Sequence, residues 1–123
     1  MPPIEEKVQG GLVLCRTAEH RLAFGAAQVG SIELTSSRRA PNARAAWKLP
    51  DAPGKVLISE TGDGVTVDAL EVFSDAVALM PPPGVMVGGA GGSLRGFVTI
   101  NDELWPVLRL AEFSRFLKGL ADG

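Results

Sequence analysis

The chain has 123 residues, a length for one domain, and it can bury about two-thirds of its surface without a metal or a disulfide. Twelve Lys and Arg against fourteen Asp and Glu give a net charge of −2, and the pI near 5.3 excludes a uniformly basic nucleic-acid-binding domain. Fifteen glycines and nine prolines among so few residues call for many turns, hence a mainly β body.

Met1–Gly10 is polar and expected to fray. It carries no basic-then-apolar leader, so a cytoplasmic protein is expected. Gly11–Arg16 reads as a first strand with Leu22–Phe24 as its hairpin partner. His20 then falls in the turn and Gly25–Gly30 makes a single turn presenting Val29. Ser31–Leu34 resumes a strand. Val29 and Ile32, three residues apart, either pack the core or line a junction.

Thr35–Lys55 changes character. Arg38, Arg39, Arg44, Lys48 and Lys55 oppose only Asp51, with Trp47 and three prolines interleaved. The segment reads first as a solvated loop, and next, through Arg38, Arg39, Arg44 and Trp47, as a candidate patch for an acidic protein partner. Counterion release and base stacking on Trp47 make a small β-barrel nucleic-acid-binding module, built on the basic 38–55 loop, the competing reading.

Val56–Ile58 and Val65–Val67 flank Thr61-Gly62-Asp63-Gly64, a second hairpin signal, because Asp and Gly tolerate the positive φ of tight turns. The two hairpin units align with Leu12 on Val56, Leu14 on Ile58, Thr17 on Thr61, Leu22 on Val65, Phe24 on Val67 and Gln28-Val29 on Glu71-Val72. The chain therefore carries one β unit twice. Asp68 opens the next turn, where a carboxylate can cap backbone N–H groups.

Ala76–Leu94 holds nineteen uncharged residues, long enough for a membrane span. Its three prolines and five glycines would leave backbone groups without partners in lipid, so it reads as a loop with no membrane insertion. Pro81-Pro82-Pro83 starts it as a stiff extended connector. The glycines of Gly84–Gly96 match no phosphate cradle. Leu94 stands at the third glycine position of a dinucleotide fingerprint, and Phe97 where a phosphate loop needs Lys. Phe97–Ile100 and Leu104–Leu108 flank Asn101-Asp102-Glu103 as a further hairpin, with Pro106 expected to put that strand at an edge or to lead to one. Leu110, Phe113, Phe116, Leu117 and Leu120 recur every three or four residues, the mark of an amphipathic helix ending near Gly119.

No constellation for catalysis emerges. One His, one Cys and no Tyr leave Cys15 and His20 as the sole candidate pair, with nothing placed to orient the imidazole. No paired His/Cys spacing points to a metal. Catalytic residues, metal and cofactors are accordingly expected to be none, and a binding module remains.

Val65-Thr66-Val67-Asp68-Ala69-Leu70, then Val72, Leu79, the proline run, Arg95-Gly96-Phe97 and Leu104-Trp105-Pro106-Val107-Leu108-Arg109-Leu110 resemble, in order and spacing, the second half of a CheW domain. Leu12–Leu34 with Pro41 resembles its opening strands. The resemblance implies two small intertwined SH3-like β-barrel subdomains with a short C-terminal helix in one CheW-like domain over 1–123. A shortened first subdomain would occupy 11–47, and the second subdomain with its helix 56–118. It further implies a non-enzymatic adaptor of a bacterial chemosensory array, binding the cytoplasmic helices of methyl-accepting chemoreceptors at Val29, Ile32 and Gly64. The chain departs from the family between Trp47 and Val56, where the first-half closing hairpin is missing, and at Arg109, which replaces Asp. That loss implies weak or absent contact with the histidine kinase regulatory domain, and an unclosed edge open to homo-oligomer formation or strand exchange. Shortening of this kind resembles the divergent CheW-like member of the frizzy gliding-motility system.

Overall fold

The structure, a computed structural model, describes residues 6–8, 11–34, 40–50, 52–75, 77–81 and 92–122. Ten strands and one helix follow one another as β1 (Glu6–Val8), β2 (Leu12–Thr17), β3 (His20–Gly25), β4 (Val29–Glu33), β5 (Lys55–Ser59), β6 (Gly64–Val67), β7 (Ala69–Phe73), β8 (Val77–Leu79), β9 (Leu94–Ile100), β10 (Glu103–Leu108) and α1 (Leu110–Asp122). They form a five-stranded sheet in the order β7-β2-β3-β10-β9, a three-stranded sheet β4-β5-β6 and a two-stranded ribbon β1-β8. The mainly β architecture with a C-terminal helix is therefore the one expected.

The two units aligned in the sequence are the β2-β3 and β5-β6 hairpins, and each passes its next strand to the other. β4 leaves β3 and pairs antiparallel with β5, while β7 leaves β6 and pairs antiparallel with β2. Beyond the turns the sequence alignment is two residues off. Phe24 faces Val13 as Val65, not Val67, faces Leu57. The cause is turn length: Thr17 pairs with His20 across two residues, whereas Ile58 pairs with Gly64 across five. A two-residue slip keeps every side chain on its face, so the inward set was still legible. Likewise Ile32, opposite Leu57, is the counterpart of Val72, opposite Val13. Val29 corresponds to Leu70, and the surplus residue is absorbed where the β4 register shifts between Val29 and Ser31.

One core lies between the sheets and α1, holding Val13, Cys15, Leu22, Phe24, Leu57, Val65, Val67, Phe113 and Leu117. A second, with Leu12, Leu14, Val98, Trp105 and Val107, lies on the other face of the five-stranded sheet against Leu79 and Val77 of β8. Helix α1 presents Leu110, Phe113 and Leu117 to the first core, as its period requires. The Gln28 side chain accepts from the Leu110 N–H at 3.0 Å, and Ser114 donates to the Gly64 carbonyl at 2.8 Å. The helix runs on through Gly119 to Asp122, beyond its expected end. Lys118, Gly119 and Leu120 are exposed, so a glycine there weakens packing little.

Four other expectations are corrected. Glu6–Val8, expected to fray, pairs with Val77–Leu79, and the same pairing makes a strand of residues read as loop. His20 lies in β3, the turn being Ala18-Glu19 with Ala18 at φ 54°. Pro106 is not at an edge, for β10 sits between β9 and β3. Pairing with β3 begins only at Val107, so the missing proline N–H takes nothing from that ladder. The third hairpin closes on Asn101 and Asp102, at φ 51° and 64°, the two positive φ values of a primed turn. Residues 82–91, including Pro82, Pro83 and most of the glycine-rich stretch, lie outside the described residues.

Two sheet edges are covered. Thr66 N–H donates to the Pro41 carbonyl at 2.9 Å, closing β6 against the segment between β4 and β5. Met80 and Phe97 exchange two 2.8 Å hydrogen bonds along β9. A Cβ at Gly96 would stand 2.4 Å from the Met80 carbonyl oxygen, so glycine is what lets these backbones meet. Among the described residues, no strand pairs with the outer edges of β4 and β7.

Phe113 joins the helix to the first core, 1% exposed and 6.0 Å from the Phe24 ring. Phe113→Ala is expected to lower unfolding free energy by about 3–5 kcal/mol, read as a reduced urea midpoint at unchanged slope.

Candidate binding surface

Val29 and Ile32 lie on edge strand β4, both half-buried and packed against the first core. Gly64 is on β6 in the same sheet, with β5 between them. The fold therefore brings all three to one sheet but not to one surface. Val29 and Ile32 reach solvent along the bare edge. Gly64 is buried, and a Cβ there would meet Ala40 Cβ at 3.2 Å. Its glycine is explained by packing under that loop, and its backbone carbonyl accepts from Ser114.

Beside Val29 an open groove of about 280 Å³ runs between the Ala26–Gln28 turn, the β5–β6 turn and the start of α1. Ala27, Gln28, Ser59, Thr61 and Ala111 line it with Glu60 and Glu112. The small side chains leave room for a partner's side chain, and the two carboxylates disfavour an anionic one. Sequence reading missed this groove, because its walls come from three segments far apart in the chain.

The basic patch is not assembled as expected. Arg38 and Arg39 lie outside the described residues. Arg44 is an internal fastener, because its guanidinium binds Asp68 through both oxygens, at 3.0 and 2.7 Å. The same carboxylate accepts the Ala18 N–H at 2.8 Å. Asp68 is thus the cap expected of it, but of the β2-β3 turn fifty residues away. Trp47 stacks on His20 with ring centroids 4.0 Å apart and planes 3° from parallel. The 3-10 turn Ala43–Trp47 is therefore pinned at two points to the first hairpin, which leaves neither Arg44 nor the inner face of Trp47 free for a phosphate or a base.

Cys15 is fully buried, and burial pushes its thiol up to about 12. It holds no thiolate at neutral pH and makes no nucleophile. Among the described residues, no three His, Cys, Asp or Glu side chains are grouped to hold a metal. Nor is any helix there long and apolar enough to cross a membrane.

These features define a CheW-like fold with an edge strand and a neighbouring groove as its candidate surface. No protein-family model matches the sequence, and no curated protein does. Among solved structures, the scaffolding protein TtCheW from Thermoanaerobacter tengcongensis shares the fold, with a TM-score of 0.61 over 83% of this chain and 90% of that one, at 15% identity.

The hydrogen bonds from Arg44, and then the Ala18 N–H, hold the Asp68 carboxyl below the usual aspartate range. A lowered native value means that the unfolded chain takes up the proton first as pH falls. The stabilisation is therefore whole above the ordinary aspartate range and lost as pH falls through the depressed native value. Asp68→Asn is expected to lower Tm at pH 7 by on the order of 3–5 °C. The difference from the parent should shrink as melts are taken to lower pH across that window.

Proposed function

We propose that the chain is a non-enzymatic adaptor of a bacterial chemosensory array, gripping the cytoplasmic helices of a chemoreceptor along β4 and the adjoining groove. The observation that carries this reading is the pair Val29 and Ile32, half-exposed on an unpaired edge beside an open groove. An amphipathic helix docks through apolar side chains spaced three or four residues apart into such a surface. Val29 and Ile32 carry the site. Gly64 supports it indirectly by seating α1.

The segment between β4 and β5 forms, among the described residues, a 3-10 turn and no strand, in line with the missing first-half hairpin. We therefore propose that contact with the kinase regulatory domain is weak or lost, and that the protein shapes array assembly in the cytoplasm. A gliding-motility system of the frizzy type is the setting that the shortened first half favours.

Val29→Glu is expected to abolish capture by an immobilised receptor signalling-tip fragment and leave the far-ultraviolet circular dichroism unchanged. Capture that survives at parental strength removes Val29 from the site. Titration of an isolated kinase regulatory domain into the unmodified protein should give no saturable heat, and micromolar binding would refute the kinase clause.

A further inference from the structure

The outer edges of β4 and β7, unpaired among the described residues, are counterparts under the internal repeat, yet they differ in what they can accept. β4 carries a register shift at Gly30, and a bulge is one of the devices that blunt an edge. β7 keeps an uninterrupted register with β2 from Ala69 to Phe73. It contains no proline or lysine, and Val72 on it is 59% exposed. Such an edge is a template for another strand.

A second observation lies on the sheet face beside it. Ala69 pairs with Arg16 and Arg16 with Arg21, and both guanidiniums lie over the Trp105 ring, 5.2 and 5.9 Å from its centroid. A groove of about 240 Å³ opens there, lined by Leu14, Arg16, Ala69, Leu70, Glu71 and Trp105. Ala69 is what leaves it open at the β7 edge. The charges at its inner end do not balance: Arg21 pairs tightly with Glu103, and Arg16 reaches the same carboxylate oxygen only at 3.8 Å. Two guanidiniums thus share one carboxylate.

The third observation is a deficit. Trp105 is 4% exposed, and its indole nitrogen is buried with no hydrogen-bond partner. Buried indole N–H groups ordinarily find an acceptor.

We propose that the outer edge of β7 takes up an extended peptide strand whose side chain opposite Ala69 brings a carboxylate into the groove between Arg16 and Trp105. Backbone pairing supplies the affinity and the alternating side chains the selectivity. On one face, an apolar residue covers Val72. On the other, the carboxylate meets Arg16, the more loosely paired of the two guanidiniums, and offers the indole an acceptor. Glu71, two positions along, rejects a second acid directly opposite itself. This surface is separate from the β4 groove and stands whether or not a receptor binds there.

The test uses the full chain, labelled with nitrogen-15, and a capped octapeptide alternating valine and threonine with one threonine replaced by glutamate. The amides of Ala69–Phe73 and the Trp105 indole N–H, assigned against Trp47→Phe, should shift together on titration. Replacing the peptide glutamate with glutamine should weaken binding by about tenfold, and Arg16→Met should erase that difference. Ala69→Leu fills the groove at an exposed position and should abolish binding with the fold intact. N-methylation of alternate peptide amides, tried in both phases, should abolish it through the backbone. The proposal is overturned by unmoved β7 amides at millimolar peptide, or by equal binding of both N-methylated peptides. It is overturned equally if the β7 amides pair with a second copy of the chain, seen as a mass that grows with concentration when no peptide is present.

Discussion

The reciprocal exchange of strands between two hairpins is the constraint on which the rest of this molecule depends. Neither unit finishes its own sheet: β4 completes β5, and β7 completes β2. A hairpin alone is at best marginal in water, and here each gains a third strand only when the other is folded. The residues that alternate inward from both, Val13, Cys15, Leu22 and Phe24 from one and Leu57, Val65 and Val67 from the other, enter one core. Folding of either half is thereby tied to folding of both, and α1 seals the shared interior through Phe113 and Leu117.

Exchange has a second consequence. A strand handed across has only one side paired in its new sheet, and among the described residues the outer sides of β4 and β7 take no further strand. The opposite edges of the same two sheets are covered by local chain: Pro41 lies against β6, and Met80 against β9 across the space that Gly96 provides. The segment between β4 and β5 therefore performs an edge-covering role. It is held there by Arg44 on Asp68 and Trp47 on His20.

Local pattern exposed what depends on neighbours in the chain. The three hairpins, the amphipathic helix and the repeat were all legible, because period-two and period-3.6 signals and Asp/Asn/Gly turn residues act over a few residues. The register past each turn was not, since a two-residue turn and a five-residue one leave the same apolar alternation. β1 and β8 were illegible for a different reason. Each has three residues, too few to show a period, and their pairing joins segments about seventy residues apart. Arg44 was misread because charge counting cannot see a partner: within residues 35–55 it is one of five cations, and its carboxylate lies beyond the second hairpin. Gly64 has the opposite history. The turn and the family resemblance both pointed to it, but it is buried, where a Cβ would crowd Ala40.

Internal duplication does not make the two open edges equivalent in chemistry. Val29 and Ile32 correspond to Leu70 and Val72, so each edge offers two apolar groups, one of them on either side of a polar position. The extra residue at Gly30 bends the first edge out of register, next to a groove bounded by Glu60 and Glu112. The second edge remains straight beside Arg16, Arg21 and Trp105. A rigid helix reads side-chain spacing and does not need an unbroken ladder, whereas an added strand needs the ladder first. A partner suited to one edge is therefore penalised at the other, by broken register in one direction and by charge in both. Discrimination of that kind, built from mismatches as much as contacts, is how a small duplicated scaffold can hold two dissimilar partners without confusing them.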